Sequence, residues 1–127
     1  MPAPPEPRLD EEESALFARG VEQFNAGLFF ECHDTLEEMW SGLRGPARDF
    51  FQGLIQVSVA FYHLEGSNAA GALSMLSRAL KRFASYPDVY FGLDLAAHRA
   101  ELEGWRERIE AGVAEPPWPR WSFRAPA

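Results

Sequence analysis

Two histidines, several carboxylates and three carboxamides stand where the surrounding sequence is least polar. In "FNAGLFFECHDTLEEMW", Phe24 to Trp40, His33 and Glu37 are four residues apart. On a helix that spacing makes them neighbours on one face. In "FFQGLIQVSVAFYHL", Phe50 to Leu64, the polar residues Gln52, Gln56 and His63 recur on one stripe, shared with Val59.

An imidazole and a carboxylate on adjacent turns can hold a divalent metal or move a proton. His33, Glu37 and His63 make a three-ligand set for zinc or iron, the one cofactor class these residues suggest. In a metal-dependent hydrolase Glu37 would be base or ligand, His33 ligand or general acid, and Gln56 a substrate donor. The spacing is looser than the helical His-Glu-x-x-His motif and lacks the paired Glu-x-x-His of di-iron bundles. His63 also lies two turns beyond Gln56, about 10 Å along a helix, which strains a shared ion with His33. A plainer role is structural. Buried amides and imidazoles must be hydrogen-bonded, and a satisfied network of His33, Glu37, Gln52 and Gln56, rimmed by Asn25 and Glu31, would fix two apolar helices against each other. The expectation is therefore a domain without catalytic activity, whose polar cluster is mainly architectural and open to a small ligand. The hydrolase is one alternative. A helical-hairpin adaptor that binds a protein or peptide, with Trp118 and Trp121 as exposed anchors, is the other.

The elements that position these residues read as helices throughout. Asp10 and the acidic run Glu11 to Glu13 suit a helix N-terminus, and Phe17, Val21 and Phe24 continue at helical spacing, predicting a first helix over about 10–26. Gly27 ends it. A second helix over about 29–43 carries two adjacent stripes, Phe29-Cys32-Leu36-Met39-Leu43 and Phe30-His33-Glu37-Trp40. "RGP" turns the chain into a third helix over about 46–65, uncharged between Asp49 and Glu65 and so central. Ser67 or Asn68 caps a fourth over about 69–85. "SYPDVYFG" reads as a loop, and a fifth helix begins near Asp94 and ends before Gly112. The fold class is all-α: about five helices in antiparallel hairpins over residues 10–113. Residues 1–9, with four of the ten prolines, read as a flexible arm. Residues 114–127 form a Pro/Trp-rich tail that packs on the domain or on a partner.

Composition narrows the partners. The 127 residues carry 19 acidic and 12 basic side chains, a net charge of -7. That balance disfavours nucleic acid. The small cluster Arg78, Lys81 and Arg82 reads as a solvated helix face. No segment is long and apolar enough for a membrane span, and the N-terminus has no signal-like pattern, so a cytoplasmic location is expected. Cys32 is the only cysteine, which excludes an intrachain disulfide and a thiolate zinc cluster within one chain. It falls on the apolar stripe of the second helix and reads as a small core residue. His98 likewise falls on the apolar stripe of the fifth.

The two stretches also resemble a known family. F-N-x-G-x-F-F-E-x-H-(D/E)-x-L-E-x-x-W, then F-x-Q-G-L-I-Q, then a histidine and a Gly-x-Asn turn, is the pattern of the small prokaryotic family called domain of unknown function 309. The resemblance is firm over residues 16–85. It implies a compact helical domain and no particular reaction. It places the family's signature polar residues at Asn25, Glu31, His33, Glu37, Gln52, Gln56, His63 and Asn68.

Overall fold

Short-range hydrogen bonds set where the helices begin. The Asp10 carboxylate accepts from the Glu13 amide at 2.7 Å while Glu13 reaches back to the Asp10 amide at 2.9 Å. This reciprocal cap opens α1 (Glu11–Asn25). Gly27, with φ of 77°, turns the chain into α2 (Phe29–Ser41). Next comes α3 (Arg48–Glu65), then α4 (Ala69–Phe83), capped by Asn68, whose side chain accepts from the Gly71 amide at 2.9 Å. Asp94 does the same for α5 (Leu95–Glu110), accepting from Ala97. The computed structural model describes residues 3–124, and among these the fold is all-α. Residues 1–2 of the expected arm and 125–127 of the expected tail lie outside them.

Each helix packs on the next, α1 on α2 through to α4 on α5. Ten of the 18 residues of α3 are buried, against two of 15 in α1, so α3 is the element the others surround. Two glycines allow the closest approaches. A Cβ on Gly20 would sit 2.6 Å from Leu36 of α2, and one on Gly53 would sit 2.6 Å from the ring of Phe83 on α4.

Two details differ from the sequence reading. First, α3 starts at Arg48, leaving Pro46 in the preceding turn. The Tyr86 hydroxyl secures that turn: it donates to the Pro46 carbonyl and accepts from the Phe50 amide. Second, "SYPDVYFG" is not plain loop. Val89–Tyr90 (β1) and Leu93–Asp94 (β2) pair antiparallel, with Val89 opposite Asp94. Phe91 and Gly92 both have positive φ, 50° and 78°, the geometry of a tight two-residue hairpin turn.

Among the described residues, the segments flanking the helices fold back. The Tyr90 hydroxyl donates to the Pro5 carbonyl at 2.7 Å. Trp118 packs against Phe61 and Trp105. Trp121, 3% exposed, stacks flat on Phe24 of α1.

Candidate functional site

The stripe Phe30-His33-Glu37-Trp40 runs along the edge of α2 beside α3. Both of its ends touch α3. Phe30 lies 5.4 Å from the ring of Tyr62, near the end of α3. Trp40 donates its indole N–H to the Arg48 carbonyl at 3.0 Å, and the Arg48 guanidinium lies 3.7 Å over its ring. Arg48 also donates to the Trp40 and Leu43 carbonyls, satisfying the end of α2.

Between these ends, His33 is held by its own helix. Nδ1 is 2.8 Å from the Phe30 carbonyl. A carbonyl only accepts, so Nδ1 carries a proton. Nε2 faces two carboxylates, Asp34 at 3.7 Å and Glu37 at 3.6 Å. One ligand atom from each of His33, Asp34 and Glu37 lies within 4.8 Å of the others. The group is open: the side chains are 22%, 62% and 52% exposed.

The structure gathers the eight expected residues into separate places rather than one seam. Gln56, 7% exposed, turns to α4 and accepts from Arg82 Nε at 3.1 Å; Arg82 also pairs with Asp49. The side-chain carbonyl of Gln52 is buried without a hydrogen bond. His63 faces Asn68 at 3.3 Å, where Asn68 caps α4. Asn25 holds the C-terminal segment, donating to the Trp121 carbonyl at 2.9 Å and accepting from the Trp121 amide at 2.7 Å. Among the described residues no hydrogen bond joins His33 or Glu37 to Gln52 or Gln56. His63 is absent from the His33 ligand group, and Asp34 stands in it instead. Trp121 is buried and Trp118 half-buried, so neither is the exposed anchor the adaptor reading expected.

The open apolar residues of this face are elsewhere. Phe30 is 45% exposed, Tyr62 46% and Leu28 48%. Glu31, Asp34, Glu37 and Glu65 stand exposed on the same stretches of α2 and α3. The Glu65 carboxyl is raised above its ordinary value, first by desolvation and then by the neighbouring charge of Glu31. Two core groups are chemically quiet. Burial pushes the Cys32 thiol up to about 12, so it is neither nucleophile nor ligand at neutral pH. Burial lowers His98 to about 4, so it sits in the core as neutral imidazole.

Sequence reasoning left Asp34 out of the candidate set and missed the contact of Arg82 with Gln56, which spans 26 residues. The adjacency of His33 and Asp34 was a usable local signal for the first. The second had none.

A run of sequential antiparallel helices bearing an open aromatic and acidic face is a helical-hairpin domain. Residues 17–75 match the family model described as "Domain of unknown function (DUF309)". All eight expected polar residues fall inside it. The chain is also similar to an "Uncharacterized protein" of Aquifex aeolicus (strain VF5), 28% identical over 92 residues, 72% of this chain and 28% of the relative. "Uncharacterized protein YpuF" of Bacillus subtilis (strain 168) is 37% identical over 54 residues, 42% of this chain and 31% of the relative. The chain thus spans less than a third of the length of either relative. Among the described residues no helix is long and apolar enough to cross a membrane.

Proposed function

We propose that this domain is a recognition module without catalytic activity, and that it binds a basic, partly apolar segment of a protein partner on the α2–α3 face. The observation that carries the reading is the Phe30–Tyr62 pair. Two large rings packed on each other, each almost half exposed, are the kind of anchor that protein interfaces bury. The carboxylates of Glu31, Asp34, Glu37 and Glu65 supply the complementary charge. Glu31 and Glu65 repel each other in the free protein, and an arriving Lys or Arg relieves that cost. A cation resting on Phe30 or Tyr62 adds a cation–π contact. Gln56, His63 and Asn68 serve architecture: Asn68 caps α4, and Gln56 ties α3 to α4 through Arg82.

A displayed-peptide selection against the immobilised protein tests this. Enriched peptides should carry Lys or Arg beside an apolar residue, and their binding should fail with a Phe30→Ser, Tyr62→Ser variant that melts like the parent. Enrichment without basic residues, or binding indifferent to the double variant, contradicts the reading.

A second reading rests on His33. With Nδ1 protonated and bonded to a carbonyl, Nε2 has its lone pair beside two carboxylates, an arrangement common in metal-ligating histidines. Three ligands from one exposed helix would hold a divalent ion weakly, leaving open coordination positions. Cobalt(II) titration followed by visible absorbance checks it. A saturable spectrum lost in His33→Ala supports the site, and no spectral change at millimolar cobalt removes it.

A further inference from the structure

On the far side of α1 lies a cleft of about 1060 Å³, walled by the N-terminal segment, α1, the hairpin turn and the C-terminal segment. Its apolar lining is a cluster of rings. Phe17 meets Phe91 at 5.4 Å and Phe123 at 4.9 Å, with Val21 and Trp121 beside them. Its walls are pinned by backbone. Asn25 clasps the Trp121 peptide from both sides, and the Arg124 amide donates to the Gly92 carbonyl at 2.8 Å.

Charge around the cleft runs opposite to the molecule. Arg8, Arg120 and Arg124 line it against Glu6 and Glu22, a local excess of cations on a chain whose net charge is -7. The described ion pairs of arginine involve Arg82, Arg99 and Arg106 and none of these three. Guanidiniums with no ion pair among the described residues, set over an apolar floor, match a ligand with an anionic head and a hydrocarbon body. A guanidinium binds a carboxylate with two parallel hydrogen bonds. The volume is at the upper end for small-molecule sites.

We infer that this cleft is a binding site for a single amphiphilic carboxylate of the fatty-acid type. The carboxylate meets Arg120 and Arg124, and the chain lies along Phe17, Val21 and Phe91. The site is separate from the α2–α3 face and stands or falls independently of it.

Calorimetric titration of the full chain with dodecanoate, kept monomeric, tests the inference. One-to-one saturable binding is expected. It should weaken by at least about tenfold in Arg120→Ala, Arg124→Ala, whose side chains are exposed and make no described hydrogen bond, and again in Ala18→Glu, which sets a carboxylate on the cleft wall. Dodecyltrimethylammonium, with the same chain and the opposite charge, should bind far more weakly. The inference fails if dodecanoate does not saturate, or if the ammonium analogue binds equally. It also fails if variants that melt like the parent bind as well as it does, or if the protein associates with phosphatidylglycerol vesicles while ignoring the monomer.

Discussion

His98 shows how one side chain imposes a pH dependence on the whole domain. Its ring is 5% exposed against Phe83, and its Nε2 has no hydrogen bond. Burial lowers its value from 6.5 to about 4. The unfolded chain therefore binds a proton there that the folded chain refuses. The contribution is fully present above pH 6.5 and is lost as pH falls towards 4. The slope approaches about 1.4 kcal/mol per pH unit. Urea unfolding at several pH values should show this fall, and His98→Leu should flatten it. Tyr86 acts at the same scale. Tyr86→Phe leaves the Phe50 amide buried without its acceptor and should cost on the order of 1–2 kcal/mol in urea unfolding. Neither role was legible in the sequence beyond His98 falling on an apolar stripe. Both depend on what another helix or turn places against the side chain.

Among the elements, the helices could be read because their signals are local. Asp10 with Glu13, Gly27, Asn68 and Asp94 each mark a boundary through contacts a few residues away. The hairpin hid because its strands are two residues each, too short for alternation to register. The partners of the glutamines hid for a different reason. Rotation of α3 about its axis decides whether Gln56 meets α2 or Arg82 of α4, and periodicity says only that Gln52 and Gln56 share a stripe. Close packing of α3 on α4 rests on Gly53. Gly53→Ala drives a methyl into the buried Phe83 ring, and the repacking should cost about 1–3 kcal/mol despite alanine's better helix propensity. A melting temperature at or above that of the parent would show that Phe83 can move aside.

Across the whole molecule, the two chain ends join the helical domain at α1 and the hairpin. Trp121 is the keystone of that closure: its ring covers Phe24 and its peptide is held by Asn25. Trp121→Ala should cost about 3–5 kcal/mol by thermal or urea unfolding. The sequence reading had the Pro/Trp-rich tail packing on the domain or on a partner but left open what it covers. The family model matches residues 17–75, so the polar residues matched by resemblance lie inside that span while the cleft built by the terminal segments lies mostly outside. The domain thus presents two unlike surfaces. The α2–α3 face is aromatic and acidic. The α1 cleft is aromatic and basic.

The α2–α3 face is the centre of the account, and one titration tests it most directly. A selected basic peptide is added to the parent and to Phe30→Ala, Tyr62→Ala, with melting of both proteins recorded alongside. Loss of two central aromatic anchors should weaken binding by at least about tenfold, equivalent to roughly 1.4 kcal/mol, while both proteins melt alike. Equal affinity for the two proteins would place the partner surface somewhere else on the molecule.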